Sequence, residues 1–142
     1  MMHGMDTWQK GFSNWSAHSV TVWGQTWKTA EHAIQASKFK GLKREHIASR
    51  PSAFTAACAG RARAGEPLRA DWEQVRDGLV LEVVRAKFQQ HPELASLLLA
   101  TGTEPIAEPG RANHWRGPGG KMGEILIAVR SEIKELQWNE QT

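Results

Sequence analysis

Thr29-Ala-Glu-His-Ala-Ile-Gln-Ala-Ser-Lys-Phe39 is the stretch from which the rest of the chain is read. Thr29 is a capping residue and Gly41 a stop, so the segment predicts a helix running to about Lys40. At about 100° per residue, Glu31, Gln35 and Lys38 fall on one narrow stripe. Ile34 lies beside Glu31 and Lys38 in angle, so the stripe borders an apolar face. A carboxylate near the helix start and an amine near its end are also what the helix dipole favours. Two readings stay open: a solvated edge, or one wall of a cleft lined by long polar side chains. Phe12-Ser-Asn-Trp15 lies just upstream, and Trp115-Arg-Gly-Pro-Gly-Gly-Lys-Met-Gly123 far downstream.

Working outward, residues 1–10 read as loosely ordered. Ser19-Val-Thr-Val-Trp23 alternates and is β-branched, and Gly24-Gln25 turns it into Thr26-Trp27-Lys28 as a hairpin. A short turn is expected around Arg44–Ala48, then an Ala-rich helix with Pro51 at its first position, reaching about Arg63. Asp71 with Gln74 resembles a capping box opening the longest helix, with Val75, Leu79, Val83 and Phe88 on one face. Pro92 opens another helix, which stops at Gly102. Pro105–Glu108 reads as a brief strand, Pro109–Gly120 as a Gly/Pro-rich loop, and Met122 to about Leu136 as the last amphipathic helix. Helices dominate, with two to four short strands: the class is α+β. No repeat or linker divides the 142 residues, so one domain is expected, its core at about 11–136.

Hydrophobic residues make up 40%, a globular proportion. Runs such as Leu97-Leu98-Leu99-Ala100 are too short to cross a bilayer, and the first residues lack a secretory pattern. Cys58 is the single cysteine, so no internal disulfide forms. These features point to the cytoplasm. The net charge of +3 permits contact with phosphates. Arg61, Arg63 and Arg69 cluster, as do Lys40, Lys43 and Arg44; each group is a solvated surface or a phosphate patch. Seven Trp with no Tyr suit a core or stacking on nucleobases.

Several chemistries are set aside. The six His lack the spacing of a metal site, and a lone Cys makes no thiolate cluster. Gly119-Gly-Lys121 is not a phosphate-binding P-loop, because Met122 replaces the hydroxyl residue and Trp115 the first glycine. Neither a nucleophile elbow nor a dinucleotide-binding glycine motif is present. Asp71 has a plain reading as a helix cap and Asn14 as a turn residue. The loop Gly117–Gly120 runs into a helix start, where its amides with Lys121 or Arg116 either hold a phosphate or form a flexible connection.

Taken in order, Phe12-Ser-Asn-Trp15, Thr29-Ala-Glu-His32, Gln35-Ala-Ser-Lys-Phe39, Asp71-Trp72, Lys87-Phe88, Thr101-Gly102, Glu108, Trp115 and Gly123-Glu-Ile-Leu-Ile-Ala-Val-Arg130 resemble the NADAR (YbiA-like) family of N-glycosidases. The resemblance spans about Gly11 to Arg130. It departs near Trp115, where the family usually has an Asp shortly before Trp-Gly and a longer loop after it; this chain has Asn113 and Arg116. The resemblance implies a compact, mostly helical fold and hydrolysis of an N-glycosidic bond. Two substrate types are associated with the family: ADP-ribose on a guanine base of nucleic acid, and phosphoribosylamino-pyrimidine intermediates of riboflavin synthesis. It implies no cofactor and no metal, and a partner that is ADP-ribosylated nucleic acid or an ADP-ribose-like nucleotide. A non-catalytic ADP-ribose-binding module is the remaining alternative.

The roles implied are as follows. Glu31 is the acid/base that moves a proton at the departing nitrogen or at water. Lys38 is a Schiff-base amine if burial lowers its pKa. Asp71 orients the ribose or assists proton transfer. Trp15, Trp72 and Trp115 stack on a base, Asn14 and Glu108 hold hydroxyls, and Gly117, Gly119 and Lys121 face phosphate. His32 and Gln35 complete the substrate-binding set.

Overall fold

The computed structural model describes residues 4–62 and 64–141. Arg63, counted above in a basic cluster and as a helix end, lies outside them, as does His3. Backbone contacts gather these residues into two units, Asn14–Lys87 and the residues up to Ser13 with those from Phe88 on.

In the unit Asn14–Lys87, strands β1 (Val20–Val22) and β2 (Gln25–Trp27) pair antiparallel, with Val20 opposite Trp27 and Val22 opposite Gln25. The turn is Trp23-Gly24, one residue earlier than the sequence suggests. Both residues have positive φ, 56° and 74°, the twist-matched geometry that two-residue hairpin loops require. Gln25 is thereby drawn into the ladder. Register places Trp27 inward, 2% exposed, with its indole N–H donating to the Val22 carbonyl at 3.2 Å.

Helix α2 (Ala30–Ser37) is capped by the Thr29 hydroxyl, which accepts from the His32 amide. It ends at Ser37 rather than near Lys40, because the Lys38 and Phe39 amides fold back to the Gln35 and Ala36 carbonyls at 3.2 and 3.1 Å. The expected turn at Arg44–Ala48 is a helix, α3 (Lys43–Ala48). Helix α4 (Ala53–Arg61) starts from a reciprocal capping box between Ser52 and Thr55, leaving Pro51 outside the cap instead of at the first helical position. Helix α2 packs against α3, α4 and both strands, so all eight of its residues are buried.

Helix α5 (Trp72–Gln90) begins where the Gln74 and Val75 amides reach the Asp71 carbonyl. The expected capping box does not form, because the Asp71 carboxylate is held by Arg69. The buried stripe is Val80, Val83, Val84, Lys87 and Phe88, with Val75 and Leu79 half-buried.

In the other unit, Met5 to Phe12 are mostly helical rather than loose: α1 (Met5–Thr7) runs into a π-helical turn, Trp8–Phe12, kinked at Gly11. Phe12 meets Trp8 and Phe88 edge-on, with centroids 5.7 and 6.0 Å apart. Helix α6 (Pro92–Leu99) carries Pro at its first turn as expected and packs against α7 (Lys121–Gln141), which is longer than α5. Pro105–Glu108 is extended chain without a ladder partner, so the hairpin is the sheet among the described residues. The buried Arg130 donates to the Thr101 hydroxyl and the Glu104 carbonyl, both at 2.8 Å. The class is α+β, dominated by helices. No helix among the described residues is long and apolar enough to cross a membrane.

Lys87 is 1% exposed, and burial pushes its amine down to about 7. The unfolded chain binds this proton up to about pH 10.5. Between about 7 and 10.5 the unfolded state therefore holds more protons, and stability rises with pH. Urea denaturation across that range is expected to show the rise in the wild-type chain and a flatter profile in Lys87→Met.

Candidate active site

Because α2 is enclosed, its polar side chains find most of their partners within the unit. Glu31 is 6% exposed; one carboxylate oxygen accepts from the Gln35 amide at 2.9 Å. Its backbone amide donates to the Asn14 carbonyl at 2.9 Å, which sets Asn14 and the following Trp15 against the start of α2. Trp15 is exposed and meets the exposed Phe54 ring edge-on at 6.2 Å.

Gln35 is 4% exposed. Its carbonyl oxygen is buried without a hydrogen-bond partner among the described residues. Gly60 of α4 lies directly against this side chain: a Cβ there would collide with the Gln35 amide oxygen and press on its Cβ at 2.7 Å. A glycine thus lets α4 approach close enough to hold the amide on Glu31.

His32 is fully buried, and both ring nitrogens are engaged inside the protein. Nε2 lies 2.9 Å from the Arg50 carbonyl, which is acceptor-only, and so carries the proton. Nδ1 then accepts from the Thr29 hydroxyl at 2.7 Å. Burial lowers the pKa of this ring, so it stays neutral. The ring expected to touch substrate is a strut between the start of α2 and the chain before α4.

Lys38, the C-terminal cap of α2, is half-buried, its Nζ 6.0 Å from the centre of the half-buried Trp72 ring. Burial lowers its pKa; Glu31 opposes this, while Arg61 and Lys43 add to it. The shift is in the direction expected of a Schiff-base lysine. Asp71 is half-exposed and clasped by Arg69, Nε to Oδ1 at 2.6 Å and Nη2 to Oδ2 at 3.1 Å. That bidentate bond holds its carboxyl below the usual range, so it stays ionised and serves as an acceptor rather than a proton donor. Arg69 is therefore engaged within the protein, while Arg61 of the same basic cluster is exposed.

Glu108, Trp115, Gly117, Gly119 and Lys121 lie in the other unit. Asn113 Oδ1 accepts from the Trp115 and Arg116 amides at 2.8 and 2.7 Å, an acceptor role an Asp fills equally well. The Gly117, Gly120 and Lys121 amides turn inward to the carbonyls of Glu108, Gly117 and His114, each at 2.9 Å. The loop's amides are mostly engaged internally, contrary to the phosphate cradle they suggest. Lys121 Nζ pairs with Glu124 at 2.9 Å, and Glu108 lies 3.9 Å from the Arg116 Nε. Trp115 is half-buried, edge-on to His114 at 4.7 Å.

Two grooves on the unit Asn14–Lys87, of about 400 and 550 Å³, are lined around Leu42 by residues including Lys40, Arg44, His46 and Glu66, and contain none of the expected site residues. No cluster of His, Cys, Asp and Glu able to hold a metal occurs among the described residues.

A buried carboxylate on a buried helix, an amine of lowered pKa at its end and an aromatic ring near that amine are groups able to move a proton or add to an electrophilic carbon. The chain is 40% identical over 129 residues to N-glycosidase YbiA of Escherichia coli (strain K12), covering 86% of this chain and 80% of that one. It is 34% identical over 137 residues to N-glycosidase Npun_R5314 of Nostoc punctiforme, 88% of this chain and 86% of that one. It is 32% identical over 129 residues to riboflavin biosynthesis protein VVA0006 of Vibrio vulnificus, covering 87% of this chain and 35% of that one. The NMR structure of E. coli YbiA superposes with a TM-score of 0.78 at 38% identity, covering 89% of this chain and 79% of that one. The class is that of an N-glycosyl hydrolase. The NADAR domain model matches residues 3–134, and the chain belongs to that family.

Alanine in place of an exposed helical glycine ordinarily stabilises by up to about 1 kcal/mol. Gly60→Ala is expected to do the opposite, destabilising by about 1–3 kcal/mol through overpacking against Gln35. Urea denaturation reads the sign, and an activity assay should show loss of turnover as the amide leaves Glu31.

Proposed function

We propose that this N-glycosidase hydrolyses the bond between ADP-ribose and a guanine base in nucleic acid, restoring the base, in the cytoplasm. The observation that carries the reading is the Glu31 carboxylate, buried and held by Gln35 on the same helix as the half-buried Lys38 amine. In hydrolysis the C–N bond breaks, the nitrogen leaves with a proton and a water oxygen ends on the anomeric carbon. Glu31 moves the proton, to the nitrogen or from the water. Lys38 offers a covalent route: its amine adds to the opened sugar carbon, the base nitrogen departs, and water hydrolyses the resulting imine.

Asp71, ionised, accepts hydrogen bonds from ribose hydroxyls. Trp72 and the exposed Trp15 offer faces to a base. Trp115 and Glu108 belong to the other unit, and the substrate-binding role proposed for each rests on the family resemblance alone. His32 and Gln35 act through Glu31, by fixing α2 and its carboxylate. The +3 charge and the exposed Arg61 favour a polyanionic substrate.

A second reading is hydrolysis of phosphoribosylamino-pyrimidine intermediates of riboflavin synthesis. It is favoured by the resemblance to a protein named for riboflavin biosynthesis. A binding-only ADP-ribose module is disfavoured, because such a module has no use for a buried carboxylate with an amine of lowered pKa.

With a guanine-ADP-ribosylated DNA oligonucleotide, wild-type protein is expected to release ADP-ribose, and Glu31→Gln to lose about 10²–10⁴-fold in turnover while keeping its melting temperature. Release undiminished in Glu31→Gln would remove the carboxylate from the mechanism. Borohydride added during turnover is expected to trap sugar on Lys38. No adduct, with full activity in Lys38→Ala, would rule out the covalent route. Raising salt should weaken binding of the oligonucleotide steeply, and that of a small phosphoribosylamino-pyrimidine little.

A further inference from the structure

The chain between α4 and α5 is tied to the end of α2 by groups of opposite kind. Glu66 accepts the amides of Lys40, Gly41 and Lys43 at 3.1, 2.8 and 3.1 Å. Arg69 takes the carbonyls instead: its backbone amide donates to Lys38 O at 2.8 Å, and Nη1 to Ser37 O at 3.3 Å. The rest of its guanidinium holds both carboxylate oxygens of Asp71, and its own carbonyl accepts the Trp72 amide at 3.2 Å. One residue thus reaches Ser37, Lys38, Asp71 and Trp72.

We infer that Arg69 is a positioning residue of the N-glycosidase: it staples the C-terminal end of α2 to the start of α5 and so sets Lys38, Trp72 and Asp71 in mutual register. This rests on the roles given above to Lys38 and Asp71. A planar fork is needed. A lysine supplies the charge at one point and cannot bind both oxygens of Asp71 while reaching the Ser37 carbonyl. The Arg69 side chain is mostly covered, 17% exposed, while its Asp71 partner is 45% exposed. Opening the staple leaves the backbone bond from Arg69 to Lys38 in place but frees Asp71 and the first turn of α5, and Trp72 drifts from the amine. Misplacement of about 1 Å costs about 10²-fold in rate.

The test compares Arg69→Lys and Arg69→Gln with wild type by two readouts. The first is turnover of the ADP-ribosylated oligonucleotide and of a phosphoribosylamino-pyrimidine. The inference expects kcat to fall tenfold or more with KM nearly unchanged, Arg69→Lys recovering little, and added guanidinium restoring part of the rate. The second needs no substrate: the titration of Lys38, followed by NMR of the ¹³C-methylated lysines. It is expected to move back toward that of surface lysines in both variants. Both variants with wild-type kcat and an unmoved Lys38 titration would overturn the inference, as would a lowered melting temperature with both readouts unchanged. If wild type turns over neither substrate, the proposed function fails, and the Lys38 titration alone decides the role of Arg69. Should Arg69→Gln not fold, the charge-keeping Arg69→Lys carries both readouts.

Discussion

A helix buried on every side that carries polar residues at Glu31, His32, Gln35 and Ser37 is the constraint on which the unit Asn14–Lys87 is built. A buried polar group without a partner costs roughly 1–3 kcal/mol, and an unpaired charge more. Each side chain of α2 therefore dictates something about its neighbours. His32 requires a hydroxyl on one side and a carbonyl on the other, and finds Thr29 and Arg50. Ser37 returns its hydroxyl to the Ile34 carbonyl at 2.6 Å. Glu31 takes the Gln35 amide, and Gln35 can stand there because α4 presents a glycine. What looks on the sequence like the edge of an amphipathic helix is the middle of a packed unit.

The same burial sets these ionisable groups apart from surface ones. A carboxylate and an amine on a solvated helix face would be an ordinary surface pair, worth a few tenths of a kcal/mol. Enclosed, the amine is disfavoured in its charged form, and the carboxylate is kept out of water and fixed by an amide. Asp71 is handled in the opposite way: left half-exposed and given a guanidinium, it stays ionised. The unit therefore holds its ionisable groups in different protonation tendencies by different means, which acid/base chemistry near neutrality needs.

Local rules account for much of what was legible beforehand. The α2 cap at Thr29 and Pro92 at the start of α6 follow from residue chemistry that acts over three or four positions. Where two local signals compete, tertiary contacts choose. The hairpin turned at Trp23-Gly24 because that register buries Trp27. The Asp71 capping box lost to Arg69, whose planar fork engages both carboxylate oxygens at once where a cap would use one. Ser52 rather than Pro51 began α4, since a reciprocal box satisfies two amides where a proline merely lacks one. The extended run at Pro105–Glu108 has strand-like residues but no neighbour to pair with.

The sequence by itself determined the α+β class, the family and the identity of the residues on the Glu31–Lys38 stripe, because spacing along a helix and the order of motifs are properties of the chain alone. Whether that stripe faced water or protein was decided by the packing of α3, α4 and the hairpin around α2. The conversion of Arg69 from a surface cation into a staple, of His32 from a contact residue into a strut, and of the Gly117–Gly120 amides from a cradle into an internally bonded turn was decided there too. The physical reason is common to all of them. A polar group's partner is whatever the fold brings within hydrogen-bonding distance, and for Arg69 and His32 that partner is a backbone carbonyl 32 or 18 residues away, which the local sequence does not encode.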